Sequence, residues 1–490
     1  MNDITQKLIF QVNTKTKETP IIYFVRDAER ALGLENLLEN YYIVCIEKGY
    51  IVDQLEQKFP GHILCTQKEN IELKSNSTLD LINNEKVQER IKKVAGAEGK
   101  FYAQLFHFNA PAYLKLQNLG GVVLNNKAEL NRQFEDKISQ FKFFKDIAIQ
   151  TPKAEIANLN ELNFAAVQEK FSNINESSSR KIVFQLDRAH TGTGTFIIEN
   201  EDEFNNFKAE YDGNTVKVSE FIDGESYTIN ACITSKGVAV QGLQYQITGI
   251  PELTLGKGST VGNDWSYANQ LSDEIKNNIH QCVKNIGEAI SKSGYKGLFG
   301  VDLMIHNNQI YIIEVNARQS ANIPLQTKLE LKANQTPLLL MHLAEFLGIE
   351  NDITLETKIP PLEGSQIFLR AKSDSFKVKF NLDSGVYRLQ SDNSAFKWSF
   401  DKLRMKIGGI KDKVIFIDED KDKPLIWQNE GYSVDDIKEG GFVLLLPQAN
   451  TSRDKFEEVA RMQFTNQIVY NNQVSEWILE ALVNIENQII

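Results

Sequence analysis

Three oxygen-donor side chains sit inside stretches that are otherwise apolar: Asp302 in Gly300-Val301-Asp302-Leu303-Met304-Ile305, and Glu314 and Asn316 in Ile310-Tyr311-Ile312-Ile313-Glu314-Val315-Asn316-Ala317-Arg318. The two runs flank His306-Asn307-Asn308-Gln309, a spacing that predicts a β-hairpin. A hairpin places Asp302 beside Glu314 and Asn316, and the two-residue step puts Glu314 and Asn316 on one face. Carboxylate and amide oxygens are the hard donors that magnesium prefers. Acids within apolar strands are costly to bury unless a cation compensates them. Taken singly, each is an ordinary polar residue on a solvated sheet face; the joint pattern favours a cation site.

A second candidate is Phe184-Gln185-Leu186-Asp187-Arg188-Ala189-His190-Thr191-Gly192-Thr193-Gly194-Thr195, a strand feeding a loop of glycines and hydroxyls and then another strand. Backbone N–H groups and hydroxyls in such a loop can donate to phosphate oxygens. Gly-x-Gly in a hairpin is more often only a turn. No Gly-Lys-Ser/Thr follows and no helix opens after it, which excludes a Walker loop and a dinucleotide fingerprint. A third segment, Val216-Lys217-Val218-Ser219-Glu220-Phe221-Ile222-Asp223-Gly224-Glu225-Ser226-Tyr227, is an apolar strand ending in glutamate and an Asp-Gly turn. Alone it carries no function.

These segments need a scaffold. Compact apolar runs at 21–25 and 42–46, a leucine stripe over 28–40 that predicts a helix, and short strands at 101–108 and 121–124 predict a small parallel sheet covered by helices. Residues 127–147 are charged and helix-periodic, and Thr151-Pro152 stops the helix. Strands are expected at 182–186, 195–198, 216–221, 227–233, 238–246, 300–305 and 310–315, with helices at 273–291 and 328–348. Residues 244–254 and 262–265 read as loop, lining a substrate pocket or forming a surface crossover. Beyond 350, short alternating strands, a strand at 442–446 and a helix-like 451–462 predict a mixed α+β segment.

The chain's 490 residues suffice for about three domains at roughly 150 each. With 42% apolar residues it is globular rather than disordered. Lys and Arg total 54 against 65 Asp and Glu, and the net charge of -11 disfavours nucleic acid and anionic membrane as partners. Cys45, Cys65, Cys232 and Cys282 lie far apart, giving neither a disulfide framework nor a zinc site. The N-terminus lacks a signal-peptide core, and the apolar runs at 338–341 and 442–446 are too short to span a bilayer. The expectation is a soluble cytoplasmic protein.

In their order and spacing the three segments resemble the ATP-grasp superfamily over residues 127–346. Upstream, Glu135-Asp136-Lys137 and Phe143-Phe144-Lys145-Asp146-Ile147-Ala148-Ile149-Gln150-Thr151-Pro152-Lys153 resemble that fold's leading helix and the Thr-Pro start of its next strand. The resemblance implies ATP with magnesium, or manganese in its place, and Asp302, Glu314 and Asn316 match the metal ligands. Lys137 takes the position of a nucleotide-phosphate lysine. Gln185, Arg188, His190, Thr191, Gly192, Thr193 and Gly194 surround the phosphates. Ser219, Glu220, Phe221 and Ile222 form the hinge that reads adenine, with Glu225 or Ser226 near the ribose. Arg318 matches the arginine that faces an acyl-phosphate or anionic substrate. One departure stands out. The strand before the phosphate loop ordinarily supplies a second lysine, and here that place holds Gln185, which brings no charge.

The implied fold is α/β and α+β: a leading pre-ATP-grasp α/β domain over 1–126, an ATP-grasp domain over 127–349, and a C-terminal α+β domain over 350–490 of unassigned role, left as a lid or acceptor-binding domain. The likeness is greatest to amide- or peptide-forming members. Biotin carboxylases place a glutamate shortly after Asn-x-Arg, whereas this chain continues Gln319-Ser320-Ala321-Asn322. The implied partners are a small-molecule carboxylate and an amine, amino acids among them, and a homodimer is compatible. The alternatives are a carboxylase-type enzyme on the same fold and a non-catalytic nucleotide-binding protein.

Overall fold

The computed structural model describes residues 1–96, 98–106, 109–171, 181–188, 194–350, 353–374, 376–377, 384–389, 404–405, 414–416, 424–437, 441–446 and 452–489. Among them, no helix is long and apolar enough to cross a membrane.

The first sheet is parallel throughout. Its strands Ile21–Val25, Tyr41–Cys45, Ile63–Cys65, Phe101–Leu105 and Gly121–Val123 lie in the order third, second, first, fourth, fifth. Apolar runs buried on both faces suit such a sheet, because helices cover each side. The order reverses between the first and fourth strands, and such a reversal opens a crevice at their carboxyl ends. The helix expected over 28–40 shrinks to one turn, Ala28–Ala31. Gly33 stops it: its φ is +123°, and a Cβ there would lie 2.9 Å from Thr327. Leu32, Leu34 and Leu38 are still buried, from a loop rather than a helix. A helix that the sequence reading did not include, Asp3–Thr16, is capped by Asn2, whose side chain accepts the Thr5 N–H at 2.7 Å.

The single helix expected over 127–147 is two, Ala128–Glu135 and Lys137–Asp146, because Asp136 between them is extended (φ −63°, ψ 125°). A small antiparallel sheet follows, in the order Ala154–Asn158, Thr215–Glu220, Ile182–Leu186, Thr195–Ile198. It has its own aromatic-rich core, with Phe164, Phe184, Phe204 and Phe207 packed together.

A larger sheet of twelve described strands begins at Gln309–Asn316 and runs through Gly297–His306, Glu225–Thr234, Gly237–Thr248 and Thr260–Asp264. It then continues without interruption into Ser365–Arg370, Glu458–Phe464 and Gly441–Leu445. Of the expected loops at 244–254 and 262–265, residues 244–248 and 262–264 are strand and Trp265 opens a short helix, while 249–254 is loop as expected. The expected helix over 451–462 is replaced by the strand Glu458–Phe464, which is sandwiched between two other strands and buried along almost its whole length. Local charge spacing loses there to pairing on both edges. The helix expected over 328–348 is interrupted by Asn334 (φ +59°) and Pro337, giving Ile323–Lys332 and Leu338–Phe346.

Gln309–Asn316 is an edge strand of the described sheet, and two of its outward backbone groups are taken by neighbouring elements. The Gln150 carbonyl accepts the Ile312 N–H at 2.9 Å, and the buried Gln140 side chain donates to the Val315 carbonyl at 2.9 Å.

His342 joins two of the sheets. Its Nδ1 accepts the Leu298 N–H at 3.1 Å, so the ring proton lies on Nε2, 3.0 Å from the Leu124 carbonyl. Burial pushes its pKa down to about 4. Between its ordinary value and that one, the unfolded chain takes up a proton that the folded ring refuses. This contribution to stability is therefore complete above about pH 6.5 and is lost as pH falls toward 4, by up to about 3 kcal/mol. Urea midpoints at about pH 7 and 4.5 will differ more for the wild type than for His342→Asn, which is weaker at neutral pH but lacks this part of the slope.

Candidate functional site

The hairpin forms as the sequence predicts. Asn307 and Asn308 adopt φ of 49° and 62°, the left-handed pair of a tight two-residue turn, and His306 pairs with Gln309. Asp302 pairs directly with Glu314, and a bulge follows at Leu303. Asp302 accepts the Thr228 hydroxyl at 2.6 Å on one oxygen and the Asn316 amide at 3.1 Å on the other. Arg318 donates to the Asn316 side-chain oxygen at 3.1 Å and pairs with Glu135 at 3.1 Å. Lys137, at the first position of its helix, forms an ion pair with Glu314. The break at Asp136 is what starts a new helix here, and Asp187 caps it by accepting the Ile138 N–H at 3.0 Å.

Electrostatics asks for a cation at this spot. Burial and the neighbouring Glu314 charge push Asp302 up to about 7. For Glu314 burial acts the same way, but the Lys137 ammonium outweighs it and holds the carboxyl below its ordinary value. Two adjoining carboxylates with an amide oxygen beside them fit a divalent ion, which would relieve the repulsion felt by Asp302. Among the described residues no cluster of three or more His, Cys, Asp or Glu forms a metal site; the set here has two carboxylates and one asparagine.

A cavity of about 780 Å³ opens over the hairpin. Of the residues singled out in the sequence, Lys137, Gln185, Arg188, Gly194, Ser219, Glu220, Phe221, Ile222, Ser226, Asp302, Glu314, Asn316 and Arg318 line it. Glu225 is not on that wall; its carboxylate accepts the Tyr227 hydroxyl. His190, Thr191, Gly192 and Thr193 lie outside the described residues. Arg188 is largely exposed and pairs with Asp136 at 3.1 Å. Glu220 holds the chain after Pro152, accepting the Lys153 N–H at 2.7 Å. Val183 and Ile197 of the small sheet and Met304 and Ile313 of the large one share the same cavity, giving it an apolar part.

The sequence reading missed two groups of wall residues. Lys217 lies directly opposite Gln185 across the small sheet. The other group comes from beyond residue 350. Arg370 and Arg461 bracket the Phe368 ring at 4.8 and 5.5 Å, and Gln366 and Glu458 line the wall with them. Arg461 is paired with Glu458. Arg370 instead donates to the Thr260 and Phe456 carbonyls at 2.9 and 2.8 Å, and burial pushes its pKa down to about 10. Arg30, at the crevice of the parallel sheet, faces the cavity too. Their spacing carried no local signal, since they meet only through tertiary pairing.

Residues 134–322 match the family model described as "ATP-grasp domain". A tyramine–L-glutamate ligase of Methanocaldococcus jannaschii is 32% identical over 106 residues, 22% of this chain and 30% of that protein. The arginine-specific carbamoyl phosphate synthase large chain of Halalkalibacterium halodurans is 23% identical over 217 residues, 44% of this chain and 19% of that protein. The chain thus spans less than a third of the length of these curated relatives. Among solved structures, the biotin carboxylase domain of Hydrogenobacter thermophilus 2-oxoglutarate carboxylase, in complex with MgADP, ADP and bicarbonate, superimposes with a TM-score of 0.55 at 12% identity, covering 91% of this chain and 86% of that one. The matched segment contains the hairpin, the helix bearing Lys137 and the whole small antiparallel sheet, and it is this part of the chain, residues 134–322, that is similar to an ATP-grasp domain.

Proposed function

We propose that the protein is an ATP-dependent carboxylate–amine ligase, forming an amide through an acyl-phosphate with release of ADP and phosphate. The observation that carries this reading is the hairpin set of Asp302, Glu314 and Asn316, placed between Lys137 and Arg318 on one cavity wall. Asp302, Glu314 and Asn316 would hold magnesium, which neutralises charge on transferring phosphates when bound. The apolar part of the cavity suits the adenine ring, and the backbone of 219–222 lies beside it.

A substrate carboxylate oxygen attacks the γ-phosphorus of ATP, the bond to the β-γ bridging oxygen breaks, and ADP leaves. An amine then attacks the acyl carbon, phosphate departs, and the amine proton passes to solvent. Arg318 orients the carboxylate, since a planar guanidinium matches a planar anion. The arginines Arg30, Arg370 and Arg461 give the remaining wall a cationic character suited to acidic substrates such as amino acids.

An amine acceptor is favoured over a biotin-type carboxylation by the segment after Arg318. Gln319 accepts the Tyr23 hydroxyl at 2.6 Å, and Asn322 bonds Gln244 and Asn230 at 2.9 Å, so positions 319–322 are themselves held in an amide network and offer no carboxylate of their own. The test is ADP release from Mg·ATP with panels of amino acids, other carboxylic acids and amines, with hydroxylamine added to trap the acyl-phosphate as a hydroxamate. Acid-dependent ADP release with hydroxamate formation is expected. Absence of magnesium-dependent nucleotide binding would overturn the reading.

A further inference from the structure

Strand Thr215–Glu220 alternates in function as it alternates in geometry. Val216 and Val218 enter the core of the small sheet, while Lys217 and Ser219 face the cavity. Gln185 and Lys217 are direct partners in the antiparallel ladder, so their side chains stand side by side on that face. Lys217 is only 5% exposed. Among the described residues its ammonium makes no hydrogen bond or ion pair, and the charges acting on it are Lys137, which opposes it, and Glu314, already paired with Lys137. A buried ammonium without a partner is costly, and it is retained where an anion arrives to compensate it. The neutral Gln185 amide beside it is committed to the Thr195 hydroxyl at 3.2 Å.

We propose that Lys217 supplies the second cationic contact to the phosphate chain of the bound nucleotide, so that the charge absent at Gln185 has moved one strand across the same rung of the sheet. The inference rests on the nucleotide-using reading given above and adds to it a residue and a ligand chemistry, the polyphosphate of a nucleoside di- or triphosphate. Gln185 would then be an uncharged neighbour tied to Thr195, and the departure from the family pattern would leave the total charge around the phosphates unchanged.

The experiment is calorimetric titration of the full chain with magnesium AMPPNP, ADP and adenosine. Lys217→Gln is expected to weaken AMPPNP and ADP on the order of 10- to 100-fold, the range of a charge-assisted contact, and to leave adenosine unchanged. The exchange variant Gln185→Lys/Lys217→Gln is expected to recover affinity for the phosphorylated ligands to within a few-fold. Thermal melting without nucleotide is expected not to fall in Lys217→Met, because an uncompensated buried charge has been removed. Equal losses for adenosine and AMPPNP would mark a structural residue and overturn the proposal. So would AMPPNP affinity unchanged in Lys217→Gln, or an exchange variant that melts normally but gains nothing. Wild-type protein that binds adenosine but not AMPPNP would overturn it as well. Failure of the wild type to bind any of the three overturns the nucleotide-using reading itself, a result distinct from each of these.

Discussion

Glu314→Gln will lower magnesium-dependent ADP release on the order of 10³-fold while leaving the protein folded. Glu314 stands at the meeting point of the site's charges: it pairs with Lys137, adjoins Asp302 in the hairpin ladder and raises the cost of ionising Asp302. The substitution keeps the side chain's size but removes half of the carboxylate charge offered to a cation. Its side chain is 22% exposed, so the amide can be accommodated without an unsatisfied buried atom. One consequence separates loss of a metal ligand from general damage. With less negative charge on the wall, nucleotide in EDTA will bind no more weakly than to the wild type, while the gain that magnesium normally brings will disappear. Turnover equal to wild type would remove Glu314 from the reaction, as would a variant whose metal-free and magnesium-bound affinities fall together.

Lys328→Met will destabilise the chain by about 3–5 kcal/mol, read as a shift of the urea midpoint. Lys328 lies on the helix Ile323–Lys332 and reaches Glu35 of the parallel-sheet region at 2.8 Å and Asp435 of the C-terminal segment at 3.3 Å. Its side chain is 6% exposed and that of Glu35 only 3%. Removing the ammonium strands a buried carboxylate that otherwise also holds the Gly33 N–H at 2.6 Å. Removing both charges together is a smaller change than removing one, so Lys328→Met/Glu35→Gln will recover much of the loss. A single variant as stable as wild type would show that the three segments are held together by apolar packing alone.

The hairpin of the candidate site was legible because everything that makes it is local: a period-two apolar pattern, an Asn-Asn turn, and three oxygen donors within fifteen residues. The elements that escaped are those decided at a distance. The leucines at 32, 34 and 38 read as a helix stripe, and the close approach of Thr327 to Gly33 is invisible in the local text. Residues 458–464 become strand because Ser365–Arg370 and Gly441–Leu445 lie on either side. Lys217 looked like one lysine in an apolar strand, since its partner Gln185 is thirty-two positions away and meets it only through the antiparallel register. Arg370 and Arg461 escaped for the same reason, and with them the fact that the segment beyond 350 forms part of the cavity wall.

The strand that carries Glu314 and Asn316 is the last of its sheet, and a strand with a bare side is a template on which another chain can grow. Here the helix bearing Lys137 also brings Gln140, whose amide covers the Val315 carbonyl, while the Gln150 carbonyl covers the Ile312 N–H. The segment that delivers Lys137 thus also covers two backbone groups of an edge strand that could otherwise template aggregation. Resistance to aggregation and the arrangement of the Asp302–Glu314–Asn316 set are therefore linked: a change that loosens 137–150 would disturb both at once, and a soluble, well-behaved variant with this segment displaced is not to be expected.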